Sequence, residues 1–329
     1  MPGLIRRLLG CVVLSAVVMS SAVAAERALL RVGILQFGTV SWELEVMQRH
    51  GLAAREGVEL RIVPLALKDA ANVAIQGGEV DLIANDWIWV SRMRSEGSDY
   101  VFAPYSQAVG GISVRPDAGV AQFADLRGKR LGVAGGALDK SWLLLRAYAR
   151  RTVGEDAASF LQPQFAAPPL LNELVMRGEL PAAMNFWHYT ARLSAAGMQE
   201  LITMPQILAG LGIEDALPLV GWVFRERWAK DNAAAIEGFL RASDAAKALM
   251  LESDAVWEDL RPLMRAEDEA TFVALREGFR AGIPRTPPAE AEAVARRVFD
   301  ILAAEGGEAL VGKARALAPG TFWRGGGGE

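Results

Sequence analysis

Short apolar runs alternate with stretches of helical spacing through the first part of the chain. Leu29 to Leu35 predicts a strand ending at Gln36-Phe37-Gly38. Trp42 to Arg49 has helical periodicity, with Ser41 as a candidate N-cap and Gly51 just past the end. Val58 to Val63 alternates as a strand does, and Lys68 to Gln76 follows as a helix closed by Gly77-Gly78. Val80 to Ala84 is a buried type of strand, and Asn85-Asp86 opens a helix over Trp87 to Ser95. Strand and helix in strict alternation predict an α/β fold with parallel, doubly wound sheets.

Val101 to Val114 carries Pro104 and Gly110-Gly111 between apolar runs and reads as a crossing into a second unit. There the cycle restarts: a strand at Leu131 to Ala134, a turn at Gly135-Gly136, a helix over Ser141 to Arg151, a helix opened by Pro168-Pro169 and ended by Gly178, and a strand at Leu180 to Met184. Leu217 to Phe224 reads as the return crossing. Beyond Asp231 the pattern is helical, over Ala233 to Leu251, Asp254 to Met264, Glu267 to Phe279 and Ala289 to Ala304. The expected division is a leader at 1–25, a first lobe from 26–110 plus 218–323, a second lobe at 111–217, and a disordered tail at 324–329.

The two units share more than a pattern. Asn72, Gly78, Glu79, Asn85, Trp87, Arg92 and Gly97 recur as Asn172, Gly178, Glu179, Asn185, Trp187, Arg192 and Gly197, without a gap. Trp89 is matched by Tyr189, and Ser41-Trp42 by Ser141-Trp142. A repeat of this length implies two similar half-domains rather than a solenoid.

Composition narrows the class. The chain is 329 residues long and 52% hydrophobic, enough for two lobes with covered sheets. Arg6-Arg7, the apolar Leu8 to Met19 and the small residues Ala22-Val23-Ala24 form a secretory leader pattern, with cleavage expected near Ala24/Ala25. Cys11 is the only cysteine, so the exported form would carry no disulfide, Cys–zinc site or catalytic thiol. Losing Arg6 and Arg7 leaves 33 basic residues against 39 acidic, a net charge of −6. Nucleic acid is not the expected partner of such a chain.

In open parallel sheets, ligands sit beyond the carboxyl ends of the strands. That rule selects four loops and, with the return crossing, the candidate ligand-binding residues Gln36, Thr39, Trp42, Asn85, Asp86, Trp87, Lys140, Ser141, Asn185, Trp187, His188 and Trp222. Asn85 and Asn185 serve equally well as helix caps, and Trp89 and Tyr189 as structural aromatics. Glu43, Asp86 and Asp139 are carboxylates near strand ends. There is no Gly-x-Ser-x-Gly elbow, HExxH, Walker A or dinucleotide fingerprint, so no catalytic residue, metal site or cofactor is assigned.

The run Phe123-Ala-Asp-Leu-Arg-Gly-Lys-Arg-Leu-Gly-Val133 resembles the opening of the second lobe in periplasmic substrate-binding proteins of ABC importers. With the repeated Gly-Glu-(Val/Leu) strand and the helical C-terminus, it is most similar to their SsuA/THI5-like, nitrate/sulfonate/taurine (NitT/TauT) branch. The resemblance implies a periplasmic-binding-protein type II fold with a hinged cleft, and a periplasmic location. It further implies a monomer that delivers a small polar solute, either a sulfonate-, taurine- or nitrate-like anion or an aromatic heterocycle, to a permease driven by a separate ATPase. A sensory protein that presents its ligand would need the same cleft. The pyrimidine-making enzymes of the THI5 branch use a cysteine-rich motif that this chain lacks. Lys140 and Lys68 are the basic candidates for the cleft, set against Glu43, Asp86 and Asp139.

Overall fold

The computed structural model describes residues 27–36 and 38–325. The leader pattern therefore lies outside the described residues. The first sheet is built from β1 (Ala28–Leu35), β2 (Val58–Leu65), β3 (Leu82–Asp86), β4 (Tyr100–Ser106) and β10 (Val220–Arg225). The second uses β5 (Ile112–Val114), β6 (Arg130–Val133), β7 (Gln162–Phe165), β8 (Ala182–Met184) and β9 (Gln199–Ile202).

The strand orders, β2-β1-β3-β10-β4 and β7-β6-β8-β5-β9, superimpose one for one. β1 pairs parallel with β2 and β3, as β6 does with β7 and β8. The fourth strand is antiparallel to both its neighbours, β10 in one sheet and β5 in the other. Each sheet is therefore mixed rather than wholly parallel, because a strand arriving by a crossing fills the fourth place.

Around the first sheet lie α1 (Val40–Arg49), α2 (Leu52–Arg55), α3 (Lys68–Gln76) and α4 (Trp87–Ser95). The second carries α5 (Lys140–Thr152), α6 (Ala157–Phe160), α7 (Pro168–Met176), α8 (Trp187–Ala195) and α9 (Met204–Gly210). After β10 come α10 (Glu226–Asp231), α11 (Ala233–Glu252), α12 (Asp254–Met264), α13 (Glu269–Ala281) and α14 (Pro288–Val311). The capping residue of α1 is Thr39 rather than Ser41, whose hydroxyl instead donates to the Gly38 carbonyl at 2.9 Å.

The repeat has a structural meaning. Asn72 accepts a hydrogen bond from the Asn85 amide at 2.7 Å, and Asn172 one from Asn185 at 2.9 Å. In each lobe the strand-end Asn also accepts from the next backbone N–H at 2.8 Å, which fixes the turn into the following helix. Gly78 and Gly178 end α3 and α7 at φ 72° and 78°, a region open to glycine at little cost.

The C-terminal helices hold the lobes together. α13 packs on α8 and α14 on α5. Arg192, on α8, donates to the Met264 carbonyl at 2.7 Å. At the crossing, a Cβ on Gly110 would stand 1.9 Å from the Asn185 carbonyl oxygen, so no other residue fits without displacing that turn. Residues 321–323 lie along β4: Phe102 N–H donates to Thr321 O and Trp323 N–H to Phe102 O, both at 2.8 Å, while 326–329 of the expected tail lie outside the described residues. Arg324, expected to lie in the tail, pairs with Glu292 at 2.8 Å.

Candidate functional site

The carboxyl ends of β1, β3, β6 and β8 face one another across the interval between the lobes, and three charged side chains meet there. Asp86 ends β3 and caps α4, its Oδ1 accepting from the Trp89 N–H at 2.8 Å. Its Oδ2 takes Lys68 Nζ at 2.5 Å and Lys140 Nζ at 2.7 Å. Lys68 opens α3 in the first lobe and Lys140 opens α5 in the second, so this ion cluster spans the cleft.

Burial opposes ionisation of Asp86, but Lys140 and then Lys68 outweigh it and hold the carboxyl well below the usual range. Burial also opposes charge on Lys140, and Asp86 overcomes it, so this ammonium is favoured. At Lys68 burial prevails and lowers the pKa despite Asp86, with the like charge of Lys140 adding to the drop. The Lys68 side chain is 45% exposed against 20% for Lys140 and 9% for Asp86, so Lys68 lies at the wetted edge of the cluster. Two ammoniums share one carboxylate oxygen, and the Asp139 carboxyl that caps α5 acts on both, so the four groups balance in formal charge.

The helix ends differ between the lobes. Asp139 caps α5, accepting from Ser141 N–H at 2.9 Å and Trp142 N–H at 3.3 Å. Burial raises its pKa against the pull of Lys140. α8 has Phe186 at the position Asp86 holds in the first copy, and no side chain caps it.

The other sequence candidates fall into distinct groups. Gln36 is exposed at the end of β1 and donates its N–H to Leu65 O at 3.0 Å; Thr39 is partly exposed. Asn85 and Asn185 are buried and committed to their Asn partners. Trp42, Trp87 and Trp222 are 4%, 0% and 1% exposed, which leaves them no surface for a solute in this arrangement. Trp222 packs edge-on to Tyr105 and Phe239. Trp42 meets Trp187 across the lobes at 6.0 Å, the two planes at 85°.

His188 lies among Phe186, Trp187 and Tyr189, and no donor or acceptor reaches its Nδ1. Burial, with a smaller push from Arg192, lowers its pKa to about 4. Glu43 is not at the cleft. It is sealed in the first lobe beside Lys247 at 3.0 Å and accepts from the Ser243 hydroxyl at 2.5 Å. Among the described residues no group of His, Cys, Asp and Glu side chains could hold a metal ion.

The NMT1/THI5-like family model matches residues 44–254. The chain belongs to that family. No curated protein is similar enough in sequence to match it. Among solved structures it is similar to the periplasmic aliphatic sulphonate binding protein SsuA from Escherichia coli, at 18% identity and a TM-score of 0.71 over 90% of this chain and 92% of that one. It is also similar to the alkanesulfonate-binding protein SsuA from Xanthomonas axonopodis pv. citri bound to MOPS, at 19% identity and TM-score 0.69 over 91% and 99%. A DSZB mutant in complex with biphenyl-2-sulfinic acid matches at 16% identity and TM-score 0.60 over 85% and 93%. At these identities the likeness establishes the fold, periplasmic-binding-protein type II, which this NMT1/THI5-like chain builds with its two five-stranded sheets.

Proposed function

We propose that this protein is the solute-binding component of an ABC importer, exported to the periplasm, where it captures a small organic anion between its lobes and passes it to a membrane permease. The observation that carries the reading is the bond from Lys140 of the second lobe to Asp86 of the first, at 2.7 Å, with Lys68 on the same oxygen. A cluster made of both lobes makes and breaks as the cleft works, and the ammoniums of Lys68 and Lys140 suit a sulfonate, sulfinate or carboxylate that takes the place of Asp86 on them. The solute anion would take up the two ammoniums from the cleft side, with Ser141, Gln36 and the uncapped start of α8 offering further polar contacts. The sulfonate and sulfinate ligands named for structural neighbours support the same class. No motif for covalent chemistry accompanies the cleft, and binding rather than turnover is the reading adopted.

The test is the melting temperature of the purified protein against alkanesulfonates, taurine, aryl sulfinates, nitrate and aromatic amines. A ligand at a hundred times its Kd adds roughly 2.7 kcal/mol to the folded state. Organic anions should raise the melting temperature by a few degrees, and replacing both Lys68 and Lys140 with methionine should remove that rise. A panel in which no anion shifts the transition would sink the proposal.

A further inference from the structure

Beside the hinge lies a cavity of about 560 Å³ that none of Lys68, Asp86 or Lys140 lines. α8 of the second lobe and α13, which packs on it, form adjoining walls. The crossings at Gln107 to Gly110 and at Ile213 to Leu217 close the rest. Met204, Leu208, Ile213 and Leu217 give it an apolar floor. The volume is that of an ordinary small-molecule site.

Its charged wall is all of one sign: Glu200, Glu214 and Asp215, with no Lys or Arg lining it. Asp215 is paired with Arg297 at 3.3 Å, but Glu200 and Glu214 have no cation partner among the described residues. Partial desolvation at the cavity mouth raises the pKa of the otherwise exposed Glu200 carboxyl, with no neighbour to offset it. Gln107 adds a further acceptor. Its Nε2 donates to the Ala281 carbonyl at 3.2 Å, while its Oε1 is buried and receives no donor. Hydroxyls of Thr190, Ser194 and Thr203 also line the cavity, but its only charged groups are carboxylates, and these above an apolar floor are the complement of an ammonium group on an apolar body and disfavour an anion.

We propose that this cavity is a second ligand site, for a protonated amine carrying an apolar body, and that its occupation biases the angle between the lobes. The bias follows from where the walls come from. α8 moves with the second lobe, α13 is packed beside the first, and both crossings bend when the lobes rotate. A ligand that fits one arrangement of these walls binds the other less well, and that difference shifts the equilibrium.

The probe is 4-phenylbutylamine, titrated into the isotopically labelled protein and followed through backbone amide resonances, with 4-phenylbutanol and 4-phenylbutyrate as neutral and anionic isosteres. The expected result is amide shifts at Gly110, Gly278 and Gly282, an amine bound about tenfold more tightly than the alcohol, and no binding of the acid. The double variant Glu200→Gln/Glu214→Gln, on exposed positions, should reduce the amine to the affinity of the alcohol. Ala274→Phe, which fills the cavity, should abolish binding of both. Equal binding of amine and alcohol, shifts centred on Asp86 and Lys140, or amine binding untouched by the double variant would each overturn the proposal. Sulfonate binding in the cleft is read separately and decides nothing here.

Discussion

Replacing Lys140 with methionine keeps most of the side-chain volume and removes one arm of the bridge between the lobes. At 2.7 Å from Asp86, the pair has a gross attraction of about 6 kcal/mol at an effective dielectric constant near 20. Desolvation cancels much of that. Losing one partner of a buried, bonded charge pair costs about 2–5 kcal/mol in measured cases. Here Lys140 is 20% exposed and Asp86 keeps Lys68, so the low end applies, about 2 kcal/mol. That lowers the ratio of closed to open molecules about 30-fold. The distance between spin labels at Val73→Cys on α3 and Met176→Cys on α7 reads this directly. Both sites are exposed, and Cys11, the only natural cysteine, is removed from the labelled chain. Lys140→Met should move the distribution toward longer distances, and salt should do the same to the parent protein more weakly. Identical distributions with and without Lys140 would refute the view that this bridge holds the lobes.

Two further outcomes follow from buried charge. His188 has a folded pKa of about 4 against 6.5 unfolded, so between these values the unfolded chain binds a proton that the native state refuses. Its contribution is complete above pH 6.5 and is lost as pH falls toward 4. The ideal loss is about 3 kcal/mol, reduced to about 2 by partial exposure; urea unfolding at pH 7 and pH 4.5 should show His188→Gln losing less than the parent, and equal losses would count against the assignment. Lys247→Met strands Glu43 in the first-lobe core and should cost about 3 kcal/mol in the same assay, with Glu43→Gln added to the variant recovering part of it. A variant as stable as the parent would show that the pair is not holding Glu43 in place.

Much of the fold was legible because its signals are local. The ranges of α3, α4 and α12 follow from apolar spacing, helped at α3 and α4 by Gly77-Gly78 and Gly97, and the repeat announced two like sheets before any contact was known. The elements that escaped notice have weak local signals: β7 (Gln162–Phe165) contains Pro163 at a sheet edge, β9 (Gln199–Ile202) is mostly exposed, and α9 is only 7 residues long. The antiparallel fourth strands could not be read either, since strand direction depends on how a crossing returns.

The cleft was legible in its parts. Asp86 and Lys140 stand at strand-to-helix junctions and were candidates on that ground, whereas Lys68 was named only as a basic residue when the resemblance was weighed; their meeting on one oxygen depends on how the lobes are set together. The tryptophans show the opposite limit. Trp42, Trp87 and Trp222 follow or occupy strands just as a ligand platform would, yet each turns into the core, and nothing local to them dictates which way the indole faces. Asn85 and Asn185 were open between capping and binding. Their partners Asn72 and Asn172, already visible in the repeat, are what commit them to the turn.

The most direct test is a calorimetric titration of the sulfonate or sulfinate giving the largest thermal shift, into the parent protein and into Lys68→Met/Lys140→Met. Binding to the parent that weakens at least a hundredfold in the double variant is the predicted result. Undiminished affinity in the variant, or no anion that binds the parent, would contradict the claim that these two lysines hold the solute between the lobes.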